Sequence, residues 1–352
     1  MRLDPAGIPL LSRSQRAVTA RHLLAAACGL ALLLVAGCSG SGSADGSGSS
    51  TVTIAVVPGI DSAPVYLAAK EGLFAAAGLG HVVIKSEPTQ AAELSALQAN
   101  QANIAASDYG SIFYSQAQNP DLRILADGYD ATAGVLEVLT LPGSSITSPV
   151  KLAGQQIGLP EDGVLSGLTK TRTDGPLSLD AAAATEVLSN YLGNNATSVQ
   201  WVPMSQQQEV AELQAHQLKA ILVSEPYIFQ AERDLGAVEV FDACSGSTAE
   251  LPLSGYVAMD AWVKDNPTAV ADFQSAIASA NANASMTGQV QQILPHATGM
   301  TVEDADLVTI GTYPTTTSVS GLDRVVRLMT NYNMIAESQA PSVPPTVVRG
   351  SG

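Results

Sequence analysis

The chain is poor in the residues that most often carry catalytic or metal chemistry. Its 352 residues include three cysteines and four histidines. No two histidines have the spacing of a helical zinc pair, and no Cys/His cluster occurs, so we expect neither a metal nor a cofactor. The sequence also lacks a G-x-S-x-G nucleophile motif. Because Cys28 and Cys38 fall in the N-terminal segment described below, Cys244 has no partner for an intrachain disulfide.

Positive charge is also scarce. The chain has 16 Lys and Arg against 32 Asp and Glu, which gives a net charge of −16. Such a surface repels nucleic-acid phosphates and anionic lipid headgroups, so we expect no nucleic-acid partner.

Beyond the N-terminal segment, no apolar run reaches the length of a membrane span. At the N-terminus, four arginines precede the apolar stretch 23–35, and small residues then lead to Cys38. This pattern is that of a signal peptide over residues 1–37, and it resembles a bacterial lipobox in which Cys38 receives the lipid. A plain secretory signal is the alternative. No arginine pair is adjacent, which disfavours twin-arginine export.

A Ser/Gly-rich stretch follows the proposed lipid site. Residues 38–50 carry almost no apolar surface, and we expect a flexible tether there. The sequence therefore predicts an exported protein that a lipid holds at the outer face of the cell membrane, or one that is periplasmic.

Strand and helix patterns alternate through the rest of the chain. This alternation predicts an α/β fold with mostly parallel sheets flanked by helices. The predicted strands are 51–57, 81–85, 103–106, 122–126, 155–159, 198–203, 219–223 and 237–241. The predicted helices are 63–77, 91–101, 109–118, 165–171, 179–192, 206–214, 227–234, 269–285, 289–294 and 322–335.

Two extended segments, near residues 131–141 and 243–256, divide this pattern into two α/β blocks. The helical tail needs a sheet to cover, and the economical solution returns it to the first block. The sequence thus predicts lobe one from residues 51–132 plus 255–352 and lobe two from residues 140–250. Two lobes joined by two strands form a hinge with a cleft between them.

Several segments resemble the substrate-binding lipoproteins of ABC importers, in the group that takes nitrate, sulfonates, taurine and thiamine-precursor pyrimidines. The resemblance covers residues 51–290. It rests on VTIA at 52–55, APVYLA at 63–68, KEGLF at 70–74, AGL at 77–79, LSALQANQANI at 94–104, SEPY at 224–227, GYV at 255–257 and Asn266-Pro267. The family usually has Gly and Asp where Asn100 and Asn103 stand here.

The resemblance implies a two-lobed type II periplasmic-binding-protein architecture. It also implies that the chain captures a small solute without catalysis and delivers it to an ABC permease in the cytoplasmic membrane. We expect a monomer, attached to the membrane only through its lipid.

In parallel α/β sheets, ligands bind beyond the carboxyl ends of the strands. The loops predicted there carry many carboxylates and few basic side chains, Lys170 and Arg172 being the nearest. Buried like charges cost several kcal/mol, so this density predicts a solute with N–H donors or positive charge, such as an aminopyrimidine. The acids are Asp61, Glu87, Asp108, Asp127, Asp130, Glu161, Asp162 and Glu225.

The strongest single candidate for a ligand contact is Glu225, because it precedes a predicted helix and matches the family motif. The ligand-binding prediction also includes hydroxyl donors and stacking tyrosines, namely Ser62, Ser107, Ser166, Tyr66, Tyr109 and Tyr227. Several acids have a simpler alternative role as helix caps, Asp61 and Asp108 above all.

Other functions remain open at this point. The cleft could take small sulfonates or nitrate-like anions, the fold could carry a pyrimidine-precursor enzyme, or the protein could serve a sensor rather than a transporter.

Overall fold

The computed structural model describes residues 51–160, 178–286 and 288–341. The predicted signal peptide, Cys38, the tether, Glu161 and Ser166 lie outside these residues. Among the residues described, no helix combines the length and the apolar character that crossing a membrane requires.

Short runs rich in β-branched residues form the strands, because branched side chains pack well on a pleated surface. The ten strands described are β1 (Val52–Val56), β2 (Val82–Ser86), β3 (Ile104–Asp108), β4 (Leu122–Asp130), β5 (Leu136–Thr140), β6 (Gln156–Pro160), β7 (Gln200–Met204), β8 (Ala220–Ser224), β9 (Val238–Asp242) and β10 (Pro252–Met259).

Half of the α-helices described begin where a Ser, Thr or Asp side chain accepts a hydrogen bond from the first turn. Among these caps are Thr89, Asp108, Ser178, Ser205 and Ser318. The helices described are α1 (Ala63–Lys70), α2 (Leu73–Ala77), α3 (Gln90–Gln98), α4 (Tyr109–Gln118), α5 (Leu179–Leu192), α6 (Gln206–Gln214), α7 (Tyr227–Leu235), α8 (Asp260–Asp265), α9 (Pro267–Ala284), α10 (Leu294–Thr298), α11 (Val302–Ala305) and α12 (Val319–Asn331).

Several predicted helices have different limits in the structure; for example, 91–101 ends at Gln98 and 322–335 spans Val319–Asn331. The predicted helix 63–77 is divided into α1 and α2, because Gly72 adopts a left-handed conformation with a φ of 71°. The predicted helix 289–294 is wrong, since α10 begins only at Leu294 and has a proline in its first turn. The predicted limits of α4, α5 and α6 match the structure.

The strands form two five-stranded sheets with matching topology. The first has the order β2-β1-β3-β10-β4 and the second β7-β6-β8-β5-β9. In each sheet four strands are parallel to one another, and one strand, β10 or β5, is antiparallel to both of its neighbours. The predicted α/β fold with two lobes and mostly parallel sheets is thus confirmed.

The two antiparallel strands are those that follow the crossings between the lobes. β5 enters the second sheet after the crossing at residues 131–135, and β10 enters the first sheet after the crossing at residues 243–251. Backbone hydrogen bonds tie these crossings together, from Ala131 N to Leu251 O at 2.9 Å and from Ala243 N to Leu136 O at 2.9 Å. The two crossings therefore lie side by side, as a hinge of two strands requires. The predicted residue limits of the two lobes stay a prediction.

A buried aspartate fastens the helical tail to the first sheet. Asp127 lies in β4 and is 1% exposed. Its side chain accepts hydrogen bonds from the Tyr109 hydroxyl and, at 2.8 Å, from Ser318 N at the start of α12. Asn281 of α9 donates to the carbonyl oxygens of Asp127 at 3.2 Å and Pro314 at 2.6 Å. Tail residues from two helices thus meet at one strand of lobe one.

On one side of the cleft the lobes share apolar core. The cluster contains Phe113 of α4, Leu179 of α5 and Leu322 of α12. At Gly110 the helices approach closely, because a Cβ there would lie 3.0 Å from the Leu179 Cβ. This seam buries apolar surface between the lobes. Separating the lobes there would expose that surface to water, at a free-energy cost proportional to the apolar area exposed.

The bond between Tyr109 and Asp127 provides a test of the tail attachment. Tyr109→Phe removes the hydroxyl donor and leaves a buried carboxylate oxygen with one partner fewer, so we expect the free energy of unfolding to fall by about 1–3 kcal/mol. Urea denaturation measures this change. Tyr114→Phe in the same helix is the matched control and should change the free energy by about 0.5 kcal/mol or less. Equal effects of the two variants would contradict the assigned role of Tyr109.

Stability should also depend on pH through Asp130, at the carboxyl end of β4. Burial, with the charge of Asp127 adding to it, raises the Asp130 pKa from 3.8 to about 7. The unfolded chain gives up this proton near pH 4, whereas the folded protein keeps it to about pH 7, so stability from this group falls as pH rises between these values.

Asp130→Asn should therefore stabilise the protein by about 1–2 kcal/mol at pH 8 and have little effect at pH 4. Denaturation at the two pH values measures the difference, with the exposed Asp121→Asn as control. A stabilisation that is the same at both pH values would contradict the assignment.

Candidate ligand-binding cleft

A cavity of about 500 Å³ lies where the carboxyl ends of the parallel strands from both sheets converge. Its size is within the range of small-molecule sites. The described lining residues are Val57, Pro58, Gly59, Ile60, Asp61, Pro88, Thr89, Gln90, Asp108, Tyr129, Val135, Leu136, Asp180, Ser205, Gln206, Ser224, Glu225, Pro226, Tyr227, Leu253, Ser254 and Thr298. Val135 and Leu136 belong to the first crossing and β5, so the cavity is bounded by both lobes and by the hinge.

On the lobe-one side, the cavity wall carries two aspartates. Asp61 lies in the loop between β1 and α1, and Asp108 ends β3 and caps α4. Burial raises the pKa of Asp61 from 3.8 to about 6, and the nearby charge of Asp108 adds to this shift. The Asp108 pKa is also raised, chiefly by burial. One oxygen of Asp108 accepts from Ser111 N at 2.8 Å, and its other oxygen has no hydrogen-bond partner among the described residues.

A third carboxyl group lies behind these two. Glu93 of α3 is fully buried, and one of its oxygens accepts the backbone N–H of Val57, where the cavity loop begins. Burial and the charge of Asp61 raise the Glu93 pKa well above its usual value. Glu93 thus holds the start of the loop that carries Asp61. It also places a third carboxyl group close to this wall of the cavity.

The lobe-two side presents amide and hydroxyl groups. Gln206 begins α6, and its side-chain oxygen accepts from Ser224 N at 2.8 Å and from the Ser224 hydroxyl at 3.1 Å. Ser205 precedes it and caps the helix. This wall also includes Asp180, in the first turn of α5.

Both oxygens of Glu225 are engaged by backbone groups. One accepts from Phe229 N at 3.1 Å, in the first turn of α7, and the other from Thr309 N at 2.9 Å. Burial raises the Glu225 pKa. Glu225 therefore both caps its helix, as its alternative reading predicted, and joins lobe two to the tail of lobe one.

Six helices direct their N-termini towards the cavity, as the strand polarity requires. A helix N-terminus attracts anions. Here the protein's own carboxylates occupy several of these positions, with Asp108 on α4, Asp180 in the first turn of α5 and Glu225 on α7. The positive ends of these helices are therefore partly neutralised, and the described lining residues include no Lys, Arg or His.

The structure brings four of the predicted ligand contacts together in the cavity wall: Asp61, Asp108, Glu225 and Tyr227. The prediction that Asp108 caps a helix is confirmed, whereas Asp61 does not cap α1, whose N-cap residue is Ser62. Whether any of the four binds a ligand stays a prediction. Glu161 and Ser166, which the prediction also included, lie outside the described residues.

Two of the predicted hydroxyl contacts lie away from the cavity wall. Ser62 is buried and serves the loop between β1 and α1, because its hydroxyl donates to Val57 O at 2.9 Å and accepts from Gly59 N at 3.0 Å. Ser107 is 1% exposed within β3.

Three further predicted contacts also lie outside the described lining. Tyr109 is fully buried and donates to Asp127, so it belongs to the core. Tyr66 lies in α1 and packs against two apolar clusters, outside the described lining of the cavity. Glu87 pairs with Lys85 at 2.7 Å on the edge strand. Each of these side chains contacts a neighbouring residue or the apolar core instead of the cavity.

The sequence reasoning did not include the residues at the starts of α3 and α6 among the candidate ligand contacts. Thr89-Gln90 opens α3 and Ser205-Gln206 opens α6, and in each helix a fully buried glutamate, Glu93 or Glu209, follows the glutamine by three residues. The caps and the glutamines line the cavity. A search for this repeated pattern of Ser/Thr, Gln and Glu would have found them.

The reactive groups in the described part of the cavity are hydroxyls and carboxylates. Its lining residues include no cysteine, histidine or lysine, and Cys244 is buried at the second crossing, where burial raises the pKa of its thiol well above the usual value. Among the described residues, no group of His, Cys, Asp or Glu is arranged to hold a metal ion. The cavity is built for hydrogen bonding and charge.

Comparisons with known structures support the fold. The chain is similar to the periplasmic aliphatic sulphonate binding protein SsuA from Escherichia coli, with 15% identity and a TM-score of 0.65 over 86% of this chain and 92% of that one. It is also similar to the periplasmic nitrate-binding protein NrtA from Synechocystis PCC 6803, with 12% identity and a TM-score of 0.61 over 84% and 86%. The desulfurization enzyme DSZB matches with 15% identity and a TM-score of 0.59 over 85% and 96%.

At these identities the structures show the fold alone, a two-lobed periplasmic-binding-protein architecture. No curated protein sequence matches the chain. The family model described as NMT1/THI5 like matches residues 60–289, a range that includes all the described strands except β1 and all the described lining residues of the cavity except Val57, Pro58, Gly59 and Thr298. The chain therefore belongs to the NMT1/THI5-like family.

Proposed function

We propose that this protein is the extracytoplasmic solute-binding component of an ABC importer, and that it captures a small nitrogen-containing organic solute between its lobes. An aminopyrimidine is the type of solute that fits best. The observation that carries this proposal is a 500 Å³ interlobe cavity whose described wall holds carboxylates and no basic side chain.

The two crossings support a mechanism of capture by closure. A solute that contacts both lobes binds the closed arrangement more tightly than the open one, and this difference in affinity shifts the population towards the closed arrangement. Paired crossings restrict the motion to a hinge, in which a few residues absorb the change of backbone angles. The similarity to the sulphonate-binding and nitrate-binding proteins supports the same use of the fold.

The charges of the cavity favour N–H donors over anions. An anion placed beside Asp61 and Asp108 would face like charge in a partly desolvated site, which costs several kcal/mol. A positively charged or N–H-donating group would instead pair with these carboxylates and offset their burial. We therefore assign the donor end of the solute to the lobe-one wall.

The N-terminal pattern supports export and attachment. A basic segment, an apolar stretch and a cysteine after small residues fit a lipoprotein with its lipid on Cys38, and the Ser/Gly tether would hold the domain near the membrane. In that position the protein can deliver solute to a permease.

A thermal-shift panel tests the ligand class. Cytosine and 4-aminopyrimidine are the nitrogen-bearing probes, and uracil, which carries a carbonyl oxygen in place of the cytosine amine, is the matched control. Ethanesulfonate and nitrate represent the anions. A solute at 100 times its dissociation constant adds about 2.7 kcal/mol of stability, which raises the melting temperature measurably.

We expect the amino compounds to raise the melting temperature and uracil, ethanesulfonate and nitrate to leave it nearly unchanged. A rise with ethanesulfonate or nitrate but not with the amino compounds would contradict the proposed ligand class and favour anion capture.

A further inference from the structure

The side-chain amide of Gln206 has a fixed orientation in the lobe-two wall. Its oxygen accepts from the backbone N–H of Ser224 at 2.8 Å and from the Ser224 hydroxyl at 3.1 Å. A backbone N–H can only donate, so the atom that faces it must be the amide oxygen and not the nitrogen. Two donors occupy the two lone pairs of this oxygen.

The nitrogen of the same amide is therefore the group that Gln206 can offer to the cavity it lines. Among the described residues it forms no hydrogen bond. Neighbouring Ser205 already accepts from Gln208 N at 3.3 Å, which leaves its hydroxyl hydrogen as a donor. This wall of the cleft thus presents N–H and O–H donors.

The equivalent position in lobe one has the opposite character. Gln90 begins α3 as Gln206 begins α6, and Asp108 ends β3 as Ser224 ends β8. An ionised Asp108 has no hydrogen to give to Gln90, and the Gln90 oxygen has no hydrogen-bond partner among the described residues. One oxygen of Asp108 is likewise without a partner, and Asp61 lies in the same wall. Lobe one therefore presents acceptors.

We propose that Gln206 is a specificity-determining residue whose amide N–H group donates to an acceptor atom of the bound solute. The cleft then selects solutes that have N–H donors at one end and a carbonyl oxygen at the other, with the donor end against lobe one. This inference rests on the proposed function, because it assumes that the solute bridges the two lobes.

Gln206→Glu tests the assignment with a change of one group. The carboxylate keeps an oxygen for both Ser224 bonds and replaces only the amide nitrogen with an acceptor. Gln207→Glu is the matched control, since it makes the same charge change at an exposed position of the same helix. The melting temperature of each variant without solute shows that the fold is kept.

Calorimetric titration with cytosine and 4-aminopyrimidine measures the effect, because the two probes differ by the carbonyl oxygen. We expect Gln206→Glu to weaken cytosine binding roughly tenfold or more relative to Gln207→Glu, and to reduce the preference of the protein for cytosine over 4-aminopyrimidine.

Equal affinities in the two variants, or tighter cytosine binding by Gln206→Glu, would overturn the proposal. If neither probe binds the unmodified protein, the proposed ligand class itself fails, which is a different result from the loss of the Gln206 effect.

Discussion

Carboxylates with no cationic partner among the described lining residues are the constraint on which the properties of this cleft depend. Asp61 and Asp108 border the cavity, and Glu93 lies fully buried behind them. Burial disfavours their charged forms, and their mutual repulsion adds to the cost. A solute that brings N–H donors or positive charge removes part of this cost, so the charges of the cleft favour such a partner.

The fold keeps these acids in place through bonds that do not involve a ligand. Glu93 accepts the Val57 N–H at the start of the cavity loop, and the Ser62 hydroxyl closes the same loop onto Val57 and Gly59. Across the cleft, the lobes share an apolar seam at α4, α5 and α12, and on the side of α7 they meet through polar contacts and through Phe229, which packs against a smaller apolar cluster. One polar contact is the bond from Thr309 N to Glu225, and another is the 2.5 Å ion pair between Arg233 and Asp304. Polar contacts exchange with water at lower cost than an apolar seam, so opening is expected on the α7 side.

The amino-acid pattern predicts the architecture well, because alternation and capping act locally. Alternating strand and helix patterns, with Asp108 as a predicted cap, give the limits of α4, α5 and α6 that the structure reproduces. The return of the tail to lobe one was also inferred from the need to cover a sheet. The split at Gly72 and the late start of α10 depend on backbone conformation that periodicity does not report.

The candidate site is predicted less completely, because a side chain at the end of a strand can point into the cavity, into the core or towards a neighbouring loop. Strand polarity directs attention to the loops of Asp61, Asp108 and Glu225, which line the cavity. It does not distinguish the cavity from the core, and Tyr109 and Ser107 turn inward. Gln90 and Gln206 were missed because uncharged amides at a helix start give no signal on their own. Only the repetition of their context in both lobes singles them out.

The most direct measurement of the central claim is the affinity for a nitrogen-bearing solute of constant charge as a function of pH, in the unmodified protein and in Asp61→Asn. The pKa of Asp61 is raised to about 6 in the folded protein. The account predicts that the unmodified protein binds more tightly as pH rises from about 5 to about 8, and that Asp61→Asn binds more weakly with little dependence on pH. Equal, pH-independent affinities in both proteins would contradict it.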